Sequence, residues 1–322
     1  RQSIAEVMTL VVPDDDLRAE ALLTELAIKD LYSDIFITET DLYHFLKDNC
    51  PLAWSSVGKQ NFTEEIFIQF ESNGGDLSFT DRLKVQKLKK EISKLEQLFN
   101  QNIREDKSEI RVTKEDLNGV NTAIIANLQE DENGFIQLNC SATLFQTVMA
   151  TCECELTRKK YAEIIANRAF PTNETVLQDM ILKRNELANL LGYPSFAHFR
   201  LKREMSKNPE TAASFLSELW QRSASKESAE FNAIVANLPS NIHLNQKGQL
   251  NTWDVSYSFN NYKKSTFELN HDLIAEYFPI EATFLGLMDI YQQFFNINIS
   301  EEPISGLWHE DVKLMKVTEK NN

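Results

Sequence analysis

Thr157-Arg158-Lys159-Lys160-Tyr161, Asn167-Arg168-Ala169, Asn173-Glu174-x-Val176-Leu177, Lys183-Arg184-Asn185-Glu186-Leu187-Ala188 and Leu190-Leu191-Gly192-Tyr193 follow one another, and a run from Met205 through Asn208-Pro209 to Phe215-Leu216 completes the series. Each segment carries its own start or stop signal. The helix holding Arg158 and Tyr161 must end near Phe170, because Pro171 cannot continue it. Asn173 is placed to cap the next helix, whose apolar face is Leu177, Met180, Ile181, Leu187 and Leu191. Gly192 supplies the left-handed stop, and Ser195 caps a further short helix through Met205. Asn208-Pro209 is an N-cap followed by proline at the first helical position, opening a helix that runs to about Asn237. Such closely spaced stops and starts predict antiparallel helices with short connections.

Outward from this block the pattern stays helical. Pro13-Asp14-Asp15-Asp16 places acidic residues at a helix start, followed by Leu22, Leu23, Leu26, Ala27 and Leu31 at helical spacing. A long helix is predicted from about Thr80 to Phe99, with Leu88, Ile92, Leu95 and Phe99 as a stripe too short for a coiled-coil seam. Ile110-Arg111-Val112 and Gly134 to Leu138 read as strands, with Asp131-Glu132-Asn133-Gly134 as the turn of a hairpin. Beyond the loop at Asn245 to Gly248 come Trp253-Asp254, a helix near Asn270 to Phe278 and another from Leu285 to Phe295. Val312, Leu314 and Val317 then suggest the start of a sheet. The expected fold is mainly α: an array of antiparallel helices with a small β-hairpin and the beginning of a small sheet near the C-terminus. Two regions are expected, residues 1–155 and residues 156–322.

The chain has 322 residues, 42% hydrophobic and 25% charged, which are ordinary values for a globular protein. Only 9 glycines occur, which leaves little material for phosphate-cradling loops. A net charge of −15 repels phosphate backbones and anionic lipid surfaces, so neither nucleic acid nor membrane is an expected partner. The acidity serves solubility, or favours cationic peptides; both readings stay open. Cys50, Cys140, Cys152 and Cys154 are too few and too irregular for a disulfide framework. Free thiols in a reducing compartment, the cytoplasm, are expected.

Zinc hydrolysis needs two histidines one helical turn apart and a glutamate to activate water. Of His44, His198, His243, His271 and His309, no two are four residues apart. His309-Glu310-Asp311-Val312-Lys313 imitates the motif, but a lysine stands where the second histidine belongs, and the segment reads as a strand. No nucleophile elbow, Walker loop or dinucleotide fingerprint occurs. Tyr161, Tyr193, Tyr257 and Tyr277 are expected to pack rather than line a channel, and Arg158, Arg168 and Arg184 to bridge carboxylates or cap carbonyls. No catalytic or metal-binding residue is assigned, and none is assigned to substrate binding.

The order of these motifs resembles the thimet oligopeptidase and oligopeptidase A family of zinc metallopeptidases. The likeness is specific from Arg158 to Leu216 and continues through Trp253-Asp254, Glu276-Tyr277-Phe278-Pro279 and Trp308-His309-x-Asp311-Val312. It is looser across Phe70 to Leu77, Phe99-Asn100-Gln101-Asn102-Ile103 and Thr113-Lys114-Glu115-Asp116-Leu117-x-Gly119. The resemblance implies hydrolysis of short peptides inside a channel, by water activated on zinc at an H-E-x-x-H helix. That motif is absent from this chain. By resemblance, these residues form the N-terminal channel wall. Zinc is expected in the complete enzyme and not on this chain, and the partners are short peptides and a C-terminal catalytic region. The alternative is a non-catalytic helical scaffold that binds peptides or proteins and derives from that family. An unrelated helical interaction domain would leave the order of the motifs unexplained.

Overall fold

The computed structural model describes residues 2–49, 57–269, 271–306, 308–309 and 311–320. The chain divides into two compact units, one holding residues up to 87 together with those from 273 onward, the other residues 88–272. The fold is mainly α, with two small antiparallel two-stranded sheets.

The first unit opens with α1 (Gln2–Val11), α2 (Asp15–Thr38), α3 (Thr40–Asn49), α4 (Val57–Ser72) and the start of α5 (Phe79–Glu105). Asp14 caps α2 as its acidic run predicts, its Oδ1 accepting the Leu17 N–H at 2.7 Å. The predicted stripe of α2 is not its buried face: Leu22 and Leu26 are half-buried, Leu23, Ala27 and Leu31 are exposed, and Ala21, Glu25 and Ile37 are buried instead. An aromatic cluster joins α2, α3 and α4: the Phe36 and Phe70 rings meet edge to face with centroids 4.9 Å apart, and Tyr43 lies 5.2 Å from Phe70. Gly75 permits this packing, since a Cβ there would stand 3.1 Å from both the Phe70 carbonyl and the Tyr43 ring.

The second unit contains the rest of α5, β1 (Glu109–Val112), a 3-10 turn at Glu115–Leu117, α6 (Thr122–Ala126), β2 (Ile136–Asn139) and α7 (Ala142–Thr151). Then come α8 (Glu155–Ala166), α9 (Thr172–Leu190), α10 (Phe196–Leu201), α11 (Pro209–Ala236) and α12 (Val255–Phe267). The first unit resumes with α13 (His271–Ala275), which spans the junction, followed by α14 (Ile280–Phe295), β3 (Ile297–Glu302) and β4 (Leu314–Glu319).

Strands β1 and β2 pair antiparallel with Ile110 opposite Leu138 and Val112 opposite Ile136. Alternation puts these four side chains on one face, where they join Leu117, Val120, Val148, Cys152 and Tyr161 in the core. The expected hairpin takes a different form. The turn at Asp131 to Gly134 returns the chain from Glu130 to Ile136, so β1 reaches β2 through a long excursion rather than a tight turn. Asp131 builds that turn by accepting the N–H groups of Asn133 and Phe135 on Oδ1.

Most helix boundaries in the middle block follow their local signals. Asn208 accepts the Thr211 N–H at 2.7 Å with Pro209 opening α11, and Gly192 ends α9 with φ +84°. Asn173 does not cap α9. It sits inside the first turn, donating to the Phe99 carbonyl at 3.0 Å and accepting from Asn102 at 2.8 Å, so it ties α9 to α5. Leu177 and Ile181 are exposed, and the buried face is Val176, Met180, Leu187 and Ala188. Helix α10 stops at Leu201, short of Met205. A helix that local propensity conceals, α12, follows Asp254. The helix expected from Asn270 is shorter than predicted, and Asn270 itself lies outside the described residues, as do Cys50 and Glu310. Trp308 and His309 form a bend rather than a strand, and β4 begins only at Leu314.

Candidate functional site

The most deeply buried polar arrangement in the second unit centres on Arg158 of α8. Its side chain is 0% exposed and that of Asp254 is 1% exposed, and Nη2 donates to Asp254 Oδ1 at 2.6 Å. Nη1 donates to the Cys152 carbonyl at 2.6 Å, and the guanidinium lies 4.3 Å from the Tyr257 ring centroid. Asp254 Oδ2 accepts from Asn251 at 3.2 Å. Thr157, beside Arg158, donates its hydroxyl to the Asp116 carbonyl at 3.0 Å, and Asn260 of α12 donates to the Ala150 carbonyl at 2.9 Å. These bonds fix α12 and the loop before it against α7 and α8. A charge so enclosed reaches no ligand in solution; its work is to hold the elements together.

The neighbouring ionisable groups are equally unsuited to chemistry near neutral pH. Burial pushes the Cys152 thiol up to about 11 and the Tyr161 phenol up to about 12. The Tyr161 hydroxyl donates to the Asn139 carbonyl at 2.6 Å. Tyr193 packs on Phe199, and Tyr277 is exposed. Arg184 bridges to Glu96 at 2.6 Å across α9 and α5, the structural role expected of it, and Arg168 lies near Asp106.

His309 Nδ1 stands 3.5 Å from Asp311, and Lys313, which occupies the place of a second ligand, pairs with Glu301 at 3.3 Å. His198 Nδ1 is hydrogen-bonded to Ser195 Oγ at 2.9 Å, and its Nε2 faces Glu210 at 3.2 Å. This reproduces the linkage of a serine–histidine–acid relay, but Ser195 Oγ also accepts the His198 N–H as the cap of α10, and Glu210 is largely exposed. The set is a helix cap with an added ion pair. Among the described residues, no three His, Cys, Asp or Glu side chains converge to hold a metal ion. The described residues do not fit zinc.

Uncovered apolar surface is the other salient feature. In the second unit, Phe215, Leu216, Leu219 and Trp220 make a stripe on α11, with Trp220 75% exposed. In the first unit, Ile280, Leu285, Ile290 and Phe294 are exposed on α14, Phe294 by 82%. Sequence reading picked out Phe215 and Leu216 but missed Leu219 and Trp220, although the i, i+1, i+4, i+5 spacing marks one helical face. No helix among the described residues is long and apolar enough to cross a membrane.

The chain is similar in sequence to known proteins. The profile of peptidase family M3 matches residues 148–322. Saccharolysin of Saccharomyces cerevisiae is 29% identical over 95% of this chain and 45% of its own length. A probable thimet oligopeptidase of Arabidopsis thaliana is 28% identical over 77% of this chain and 34% of its own. Oligopeptidase A of Salmonella typhimurium is 24% identical over 61% of this chain and 29% of its own. The chain thus spans under half the length of these curated relatives. Its match covers the α8 to α11 block, the Arg158–Asp254 node and both strands of the second sheet, and on that footing the chain belongs to peptidase family M3.

Proposed function

We propose that this chain forms the N-terminal, channel-wall part of a zinc-dependent metallo-oligopeptidase that hydrolyses short peptides, and that the zinc-holding groups lie outside the described residues. The family match over residues 148–322, in a chain spanning 45% of the length of saccharolysin, carries this reading. The exposed stripes on α11 and α14 support it, because a second region of the enzyme would cover such faces. Free Cys140, Cys152 and Cys154 support a reducing compartment, the cytoplasm.

In this reading the chain supplies shape rather than reactive groups. Its helices bound a cleft that admits flexible peptides and excludes folded proteins, and the Arg158–Asp254 node keeps that wall rigid. The test compares the chain alone with the chain extended through the coding sequence after Asn322. The chain alone is expected to bind no stoichiometric zinc and to leave a quenched fluorescent peptide intact, while the extended protein does both. Stoichiometric zinc or peptide cleavage by the chain alone would contradict the proposal. A stop codon directly after Asn322 would favour the scaffold reading.

A further inference from the structure

Three asparagines in this chain precede glycine: Asn73-Gly74, Asn118-Gly119 and Asn133-Gly134. Asparagine followed by glycine is prone to spontaneous deamidation. The glycine backbone nitrogen attacks the asparagine Cγ, the Cγ–Nδ2 bond breaks, and ammonia leaves with the nitrogen's proton. Water then opens the resulting succinimide to aspartate or isoaspartate. Glycine favours the attack because it has no Cβ to obstruct the approach and its backbone bends readily. By sequence alone the three sites are equivalent; their surroundings differ.

Asn73 is buried, and its Nδ2 donates to the Gln69 carbonyl at 2.8 Å. The Gly74 N–H donates to the Glu71 carbonyl at 3.0 Å, and a Cβ on Gly74 would stand 2.9 Å from Leu77. Asn118 is exposed but held twice. Its Nδ2 donates to Glu153 Oε2 at 2.8 Å, and its carbonyl accepts the Glu153 N–H at 2.8 Å. The segment is also pinned by the buried side chains of Leu117 and Val120, and the Cβ position of Gly119 lies 2.4 Å from the Thr151 carbonyl. Neither segment can rearrange without opening core structure.

Asn133 stands at the tip of the Asp131 to Gly134 turn and is exposed. Its backbone N–H donates to Asp131 Oδ1 at 2.9 Å, but its carboxamide takes no hydrogen-bond partner among the described residues. Gly134 has φ +80°, and the nearest atom to a Cβ built there is Glu130 Oε1 at 3.5 Å. The Gly134 N–H donates to the Asp131 carbonyl at 3.0 Å, and this bond, like those that Asp131 makes with Asn133 and Phe135, lies within an exposed turn that opens locally without disturbing the core.

We infer that Asn133 is the site at which this folded chain deamidates, while Asn118 and Asn73 are protected by the fold. The conversion places a new carboxylate beside Asp131, which already pairs with Arg111. The isoaspartate product also lengthens the backbone of the turn that sets Glu130 opposite the fully buried Ile136. Modification therefore loosens the entry of β2 into the core.

The test is timed peptide mapping by mass spectrometry of the purified chain at mildly alkaline pH, folded and in urea. In the folded chain, the peptide carrying Asn133 is expected to convert at least about tenfold faster than the other two, the ratio given by an added opening cost of about 1.4 kcal/mol. In urea the three rates are expected to converge, because all three share the same local dipeptide. Conversion of Asn118 or Asn73 as fast as Asn133 in the folded chain would overturn the inference. So would an intact Asn133, or a rate ratio that survives unfolding.

Discussion

Arg158 and Asp254 meet across 96 residues of chain, and almost none of either side chain touches solvent. The energetic weight of such a pair shows when one partner is removed, because the remaining charge stays buried without compensation. Asp254→Ala is expected to destabilise the chain by about 3–5 kcal/mol, read from urea unfolding, whereas replacing both partners with apolar residues costs less than either single change. A loss below about 1 kcal/mol, the range of an exposed pair, would remove the node from the account. A second residue acts through pH. Asp106 accepts hydrogen bonds from the Ser108 side chain, the Ala169 N–H and the Ser108 N–H, which hold its carboxyl below the ordinary 3.8. The ionised form is the bonded one, so the stabilisation is complete above pH 3.8 and fades as pH falls through the lower folded value. The stability gap between the native chain and Asp106→Asn is expected to be constant near neutrality and to shrink in acid. A gap independent of pH would show that the ionised carboxylate is not responsible.

At the scale of elements, caps explain what could be read in advance. Asn208, Pro209, Ser195 and Gly192 act on backbone groups within a few residues of themselves, so their signals survive translation into structure. Asn208→Ala is expected to cost about 1 kcal/mol of stability by leaving the Thr211 N–H without its acceptor; an unchanged unfolding midpoint would contradict this. What the sequence concealed depends on distant partners. Asn173 looks like a cap, yet Phe99 and Asn102 recruit its amide from α5. Helix α12 contains Ser256, Ser258, Asn260, Asn261 and Ser265, which are poor helix formers, and it stands because Asp254, Tyr257 and Asn260 are tied to α7 and α8. The turn at Asp131 was legible from its residues, but the partner it returns the chain to was not.

At the scale of the whole molecule, the family was legible because several motifs fall in one order, and the profile match over residues 148–322 rests on the same region. A catalytic site was not legible, and among the described residues no metal-holding cluster offers one. Under the proposed function, a further region of the protein covers the apolar stripes of α11 and α14. Polar substitution there, such as Trp220→Ser or Phe294→Ser, is expected to change the stability of the chain alone by no more than about 0.5 kcal/mol, because these side chains bury little in it. Hydroxyl-radical footprinting of Phe215, Trp220 and Phe294 tests the central claim most directly, comparing the chain alone with the chain extended through its downstream coding sequence. Strong labelling in the short form and marked protection in the extended form is the predicted result. Equal labelling in both forms would contradict it.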